Sequence, residues 1–173
     1  MRLFVLLAIL TVPQAANASM DETLDISVHA TAATLEHDGL RSFDVQGGAA
    51  RVGVTLGSLR FGGGPTFLTA PSVRTDGGSR VDRPMLAGGE LFVGIARPDG
   101  CVLPFLELRA HAERWIGSSE GLGASLGIGP RIGLRFVLNE YFFAEVGVGR
   151  DVLGPERFRT GLALGIPIPL SHL

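Results

Sequence analysis

Lysine is absent from this chain, and cysteine, tryptophan and tyrosine each occur only once. All 15 residues counted as Lys or Arg are therefore arginine, and with 17 acidic residues the net charge is −2. This near balance predicts neither a nucleic-acid partner nor binding to an anionic membrane surface. The lone Cys101 cannot form an internal disulfide, and we interpret it as a tolerated small residue in a turn.

The histidines are few, and they do not show the spacing of metal ligands. They occur at His29, His37, His111 and His172, without further cysteines to complete a ligand set. We therefore predict no metal site and no cofactor.

Long apolar runs are also missing, except for one near the N-terminus. Arg2, the apolar run 3–12 and the small residues Ala16-Asn17-Ala18 follow the order of a secretory signal peptide. The run is about half of the roughly 20 residues that a transmembrane helix needs, so we expect cleavage after Ala18 rather than a membrane anchor. No later run is long enough for a membrane-spanning helix, and we predict a single domain over residues 19–173.

A period of two in hydrophobicity dominates that domain. It predicts about eight β-strands, at 23–35, 46–57, 58–70, 86–96, 102–114, 121–137, 141–150 and 157–170. Short and longer links alternate between these segments, and the longest is the polar stretch Pro71 to Pro84. This alternation is typical of an up-and-down meander with tight turns at one end and loops at the other.

The two faces of these strands differ in charge. Successive side chains of a strand point to opposite sides. One face is aliphatic and aromatic, as at Leu126, Leu134 and Val146, and it carries charge only at segment ends. The other face combines many glycines with acidic and basic residues in nearly equal number.

Two closed barrels fit this alternation. In a soluble periplasmic barrel of the lipocalin kind, the apolar face points inward and binds lipid. In an outer-membrane barrel the apolar face contacts lipid and the charged face fills the lumen. Glycine weakens a solvent-facing strand, yet inside a narrow barrel it makes room for Arg and Glu side chains. A balanced charge set contributes little on a surface but is required in a closed interior.

Aromatic residues favour the outer-membrane alternative. Phe136, Tyr141 and Phe142 flank one tight turn, and Trp115 and Phe158 lie near the opposite rim, as interfacial girdles require. We therefore predict an all-β fold, a closed antiparallel up-and-down transmembrane β-barrel of about eight strands that contacts outer-membrane lipid. Its lumen is predicted to hold a polar network of Glu90, Glu107, Arg109, His111, Glu113, Arg131, Arg135, Glu145 and Arg159.

The alternating strands resemble the small eight-stranded bacterial outer-membrane barrels, a class that includes the transmembrane domain of the outer-membrane protein A family. The resemblance covers nearly the whole mature chain and rests on architecture rather than on a motif. It implies a location in the outer membrane, assembly by the barrel-assembly machinery, and a structural, adhesive or narrow-channel (porin-like) role. Members typically end in an aromatic residue, whereas this sequence ends in IPIPLSHL.

Prolines inside predicted strands disturb the hydrogen-bond ladder. Pro167 and Pro169 stand in the closing strand, and Pro130 stands inside the sixth. Because proline removes a donor from the ladder, we expect a bulge or bend at Pro130, or a sixth strand in two pieces.

An enzymatic alternative is a lipid-modifying hydrolase of the outer membrane. His111 and Glu113 with Ser118 or Ser119 would form its Ser-His-acid set, because the fifth strand runs into the loop IGSSE. However, His111 and Glu113 are predicted to face the lumen, whereas a site that acts on lipid must open toward the bilayer. We therefore predict that the protein is not an enzyme.

Overall fold

The computed structural model describes residues 22–35, 43–70, 72–74, 80–82, 85–97, 99–116 and 124–173. The predicted signal peptide lies outside these residues. The described chain forms ten strands and one 3-10 helix, which are β1 (Glu22–Leu35), β2 (Phe43–Leu56), β3 (Leu59–Thr69), β4 (Ser72–Arg74), β5 (Arg80–Asp82), β6 (Met85–Ala96), β7 (Val102–Ile116), β8 (Ala124–Val137), β9 (Phe143–Gly149), β10 (Glu156–Pro169) and η1 (Leu170–His172).

Eight of the strands close into an antiparallel barrel. Their order is β1-β10-β9-β8-β7-β6-β3-β2, and β1 pairs with both β2 and β10, so the sheet has no free edge. Each barrel strand neighbours the next one along the chain, which confirms the predicted up-and-down topology. None of the described residues belongs to a helix long and apolar enough to cross a membrane.

The barrel has a strong stagger. Paired residues traced once around the sheet from Ile116 lead back to Leu106, ten residues lower on the same strand β7. With eight strands, this shear corresponds to a strand tilt of about 40–45° and to an interior only wide enough for side chains.

Tight connections join β2 to β3, β6 to β7 and β8 to β9, and we call this side the turn end. Gly57 and Gly100 adopt φ angles of +57° and +117°, values that glycine tolerates without steric cost. In the turn from β8 to β9, the Asn139 Oδ1 atom accepts hydrogen bonds from the backbone N–H groups of Tyr141 and Phe142, both at 2.8 Å. This turn is therefore closed by a local side-chain acceptor. The opposite side of the barrel is the loop end.

The apolar face lies outside the barrel. Leu126, Val28 and Leu164 are 73%, 70% and 64% exposed, whereas Glu107 and Arg109 on the other face are 1% and 2% exposed. This orientation contradicts the soluble lipid-binding alternative, which requires the apolar side chains inside.

Several predicted boundaries were wrong by two or three residues. Strand β2 begins at Phe43 rather than at 46, because its first residues pair with the end of β1. Strand β9 begins at Phe143 rather than at 141, because the Asn139 turn holds the preceding residues. The stretch predicted as one long loop contains a short hairpin, β4 with β5.

Pro130 does not divide the sixth barrel strand. Strand β8 keeps its register with β7 through the pair Leu108 and Pro130, so the predicted bulge and the predicted division of this strand are wrong. The Pro130 carbonyl accepts a hydrogen bond from the Arg150 N–H at 3.3 Å. In an antiparallel strand the nitrogen and the carbonyl of one residue point to the same neighbour, so the Pro130 nitrogen, which has no hydrogen to donate, also faces the side of β9. Strand β9 has already ended at Gly149 there, so the proline interrupts little of the ladder.

Trp115 does not belong to an external girdle. Its side chain is 6% exposed and points into the barrel at the loop end, where its ring lies 5.7 Å from that of Phe43. Trp115 is an even number of residues from Glu107 and Glu113 on β7, so its side chain points inward as theirs do. Its position on the strand therefore decides its orientation, despite the preference of tryptophan for membrane interfaces. It belongs to a buried apolar group, here called the apolar cap, that comprises Ala33, Leu35, Val45, Leu68, Ala70, Leu86 and Trp115.

Candidate functional site: the barrel lumen

The nine residues predicted for the lumen all have side chains inside the barrel, each less than a tenth exposed. They come from five adjacent strands, β6 to β10. Strands β1 to β3 contribute four more that alternation also placed on this face, Asp25, His29, Arg51 and Arg60. The interior is therefore lined by ionic side chains around its whole circumference.

At the turn end, one arginine joins two acids. The Arg135 guanidinium lies 2.7 Å from the Asp25 carboxylate and 2.8 Å from that of Glu145. The Arg60 Nη2 atom donates to the same Glu145 oxygen at 2.7 Å. Glu145 thus bridges two arginines, and each charge in this layer has a partner of opposite sign.

In the middle of the lumen, Glu107 is the central acceptor. The Arg131 Nη1 atom donates to Glu107 Oε2 at 2.8 Å, and Arg60 Nη1 lies 3.2 Å from Oε1. Arg51 donates to Glu90 one strand further round. The Phe105 ring lies between two of these arginines, 5.0 Å from the Arg60 guanidinium carbon and 4.8 Å from that of Arg131. These cation–π contacts add favourable electrostatics to the ion pairs.

Toward the loop end, the ionic groups gather around Glu156. Arg109 Nη2 donates to both Glu156 oxygens at 2.9 Å, and Arg159 Nε lies 2.6 Å from Oε1. Arg159 also donates to Glu113 at 3.2 Å. The His111 Nε2 atom lies 3.0 Å from Asp151 Oδ2.

Sequence analysis missed Asp151 and Glu156, although both are buried in the lumen. Strand β9 is short and ends at Gly149, so the barrel wall between β8 and β10 is completed by the segment 150–156. This segment bonds to β8 through Ile128, whose N–H donates to the Leu153 carbonyl at 2.7 Å. A register shift where β1 meets the start of β10 turns Glu156 inward. Strict alternation along β10 would put Glu156 on the outer, apolar face. Alternation makes no prediction for Asp151, which lies in a loop.

The lumen is closed to solvent at its centre. A cavity among the ionic residues, lined in part by His29, Arg51 and Arg131, measures about 10 Å³. A cavity of that size holds at most about one water molecule. Closer to the loop end, the apolar cap covers the part of the lumen that is bounded by β1, β2, β3, β6 and β7.

The hydrolase alternative gains no support from the described residues. His111 and Glu113 lie inside the lumen, and their polar atoms face Asp151, Glu156 and each other. Ser118 and Ser119, the predicted nucleophiles, lie outside the described residues.

Comparison with solved structures shows the fold. The structure of neisserial surface protein A (NspA) matches with a TM-score of 0.60 and 15% identity, over 86% of this chain and 97% of that one. The N-terminal β-barrel domain of OprF from Pseudomonas aeruginosa has a TM-score of 0.49 and 16% identity, over 85% and 99%. No protein-family model and no curated protein matches this sequence. The closed eight-stranded sheet and the NspA match together show that the chain has the fold of a small outer-membrane barrel. At identities this low, its function is argued from its own residues.

Proposed function

We propose that this protein is an integral β-barrel of the bacterial outer membrane that serves a structural or adhesive role at the cell surface. The observation that carries the proposal is the inverted distribution of polarity, with aliphatic side chains outside and ion pairs inside. A belt of exposed Leu, Ile, Val and Phe residues surrounds the barrel, a surface that water disfavours and hydrocarbon accommodates. Closure of the sheet meets the second requirement of a bilayer, because every barrel strand has a hydrogen-bonded neighbour on both sides.

The filled lumen favours a structural or adhesive role over a narrow channel. Ion pairs at 2.7–2.9 Å occupy successive layers of the interior, and the central cavity is too small for a file of water molecules. Conduction would require several of these pairs to separate together. The barrel in this proposal acts as an anchor for its loops, and the name of the similar neisserial surface protein is in keeping with this role.

The same arrangement argues against a lipid-modifying enzyme. The candidate acid and base groups are directed into a closed interior, whereas the surface that would contact lipid is aliphatic. Outer-membrane lipid and, during biogenesis, the barrel-assembly machinery are the partners that the proposal requires.

Cysteine labelling on intact cells tests location and orientation together. Cys101 is exposed in the turn between β6 and β7, at the turn end. Because the short turns of outer-membrane barrels face the periplasm, we expect a membrane-impermeant maleimide to label Cys101 only after the outer membrane is permeabilised. A Cys101→Ser, Ile116→Cys variant, with its cysteine at the loop end of β7, is expected to be labelled on intact cells. Recovery of the protein in the soluble periplasm, or the reverse labelling pattern, would contradict the proposal.

Planar-bilayer recording separates the anchor role from the channel alternative. We expect no stable open-channel conductance for the purified, refolded protein. Stable single-channel steps would favour the narrow channel if substitution of Trp115, a member of the apolar cap, left them unchanged. Such steps would show a water path that does not pass through the cap.

A further inference from the structure

We propose that His111, Asp151 and Glu156 form a zinc site at the loop end of the lumen. The three side chains are 4%, 6% and 1% exposed, and one potential ligand atom from each lies within 4.8 Å of the other two. This inference goes beyond the anchor role and does not depend on it. It departs from the sequence-based prediction of no metal site, which considered neither Asp151 nor Glu156 as a ligand.

The separations from His111 to the two acids are close to those around a tetrahedral ion. His111 Nε2 lies 3.0 Å from Asp151 Oδ2 and 3.6 Å from Glu156 Oε2. Around a tetrahedral Zn²⁺ with bonds of about 2.0–2.1 Å, ligand atoms are separated by about 3.3 Å. Three protein ligands also leave a fourth position for water, as in other zinc sites with mixed His and carboxylate ligands.

Hydrogen-bond accounting around His111 gives an independent reason for a ligand. Its Nε2 atom faces the Asp151 carboxylate, and its Nδ1 atom lies 3.7 Å from Glu113 Oε2. Nδ1 and that Glu113 oxygen are both buried, and neither has a hydrogen-bond partner among the described residues. A neutral imidazole carries one N–H, so it cannot donate toward carboxylates on both sides.

An ion on Nε2 resolves this conflict. Metal ligation at Nε2 puts the ring proton on Nδ1, where it can be donated to Glu113. That arrangement is the usual carboxylate–histidine–metal relay, in which the outer carboxylate orients the ring. Glu113 is therefore assigned as a positioning residue rather than as a ligand.

The local charge and backbone favour a cation in the same place. Three carboxylates, Asp151, Glu156 and Glu113, surround the ring, and two guanidinium groups, Arg109 and Arg159, contact them. These five groups carry one more negative than positive charge. The segment 150–156 also folds back on itself, because the Glu156 N–H donates to Asp151 Oδ2 at 3.1 Å and the Asp151 N–H to the Glu156 carbonyl at 2.9 Å. The two acids are thereby held together.

The ligand types select zinc over the alkaline-earth ions. Ca²⁺ and Mg²⁺ prefer sites made entirely of oxygen, whereas imidazole nitrogen with carboxylate oxygen suits Zn²⁺. A proton on His111, giving an imidazolium ring, would satisfy the same contacts without any metal, and the experiment must separate the two.

The test measures zinc bound per chain after refolding in detergent with Zn²⁺ present, so that the buried site fills as the barrel closes. The variants are His111→Gln and Asp151→Asn, with His29→Gln as the matched control, because His29 is the second lumen histidine and bonds to Ser27 rather than to these acids. Heat-modified mobility on gels shows which variants fold. We expect one zinc per chain in the unchanged protein and in His29→Gln, and affinity at least tenfold weaker in His111→Gln and Asp151→Asn. Glu113→Gln is expected to weaken binding about 10–100-fold without abolishing it.

Two further measurements keep the inference falsifiable if a variant fails to fold. Co²⁺ bound to the unchanged protein is expected to give the intense visible absorption of a four-coordinate ion, and NMR is expected to show His111 protonated at Nδ1 alone. The proposal is overturned by a folded protein that binds no zinc, by equal zinc binding in His111→Gln, by preference for Ca²⁺ or Mg²⁺, or by a doubly protonated His111 ring in the presence of Zn²⁺.

Discussion

Glu107 and Arg131 lie directly opposite each other on neighbouring strands β7 and β8, and the Arg131 guanidinium donates to the Glu107 carboxylate at 2.8 Å. Both side chains point into a lumen where water is scarce, and Glu107 is 1% exposed. The local strand pairing therefore creates the ion pair, and closure of the barrel removes it from solvent.

Glu107→Gln is expected to destabilise the barrel by about 3–5 kcal/mol, because it removes one of the acids that neutralise the buried Arg131 and Arg60 guanidinium groups. Urea unfolding from lipid vesicles measures the change. Glu140→Gln, the same substitution in an exposed turn, should stay within about 0.5 kcal/mol of the unchanged protein. Arg131→Gln alone and the double variant complete the cycle, and the loss in the double variant is expected to be smaller than the sum of the two single losses. An additive loss would show that the two residues are not coupled.

Leu164→Arg tests the lipid-facing surface. Leu164 is 64% exposed on β10, well inside the belt of aliphatic residues. An arginine there is expected to cost about 2–4 kcal/mol in a bilayer, since charge near the midplane is poorly solvated. Leu138→Arg, in the turn between β8 and β9, is the control and should be close to neutral. Equal tolerance of both substitutions would mean that β10 faces water.

The fluorescence of Trp115 distinguishes the lumen from the lipid interface, because the chain contains one tryptophan. We expect brominated lipids to quench it weakly, since its ring lies inside the barrel against Phe43. A Trp115→Phe, Phe136→Trp variant moves the fluorophore to an outward-facing position and should be quenched strongly. Strong quenching of the unchanged protein would return Trp115 to an external girdle.

Two glycines on the inner face of β10 are expected to respond to alanine in opposite directions. A Cβ atom at Gly161 would meet ordinary contacts, such as Thr31 Oγ1 at 3.8 Å, whereas one at Gly165 would collide with the Phe143 ring. Gly161→Ala should stabilise the barrel by about 0.4–1 kcal/mol, because alanine lowers the conformational entropy of the unfolded chain. Gly165→Ala should destabilise it by about 1–3 kcal/mol through overpacking. Urea unfolding of both variants gives the comparison, and the same sign for both would contradict it.

Much of the lumen was predictable because strand geometry is local. A period of two assigns Glu90, Arg109 and Glu145 to one face from sequence alone, and the absence of charge on the other face follows from the same count. Trp115 shows the limit of composition-based reasoning, since its position on β7 indicated the lumen while its residue type indicated the interface. The inward orientation is stabilised because the Trp115 ring packs against Phe43 and the rest of the apolar cap at the loop end.

The sequence by itself determined that one face of the meander carries the charge and that this face holds most of the glycines. Only the tertiary structure decided which charges meet. Arg109 and Glu156 are 47 residues apart and become hydrogen-bonded because β9 stops early and β10 starts with a register shift. The reason is physical: side-chain alternation is a property of one strand, whereas ion pairing across a lumen depends on shear, closure and the ends of several strands at once.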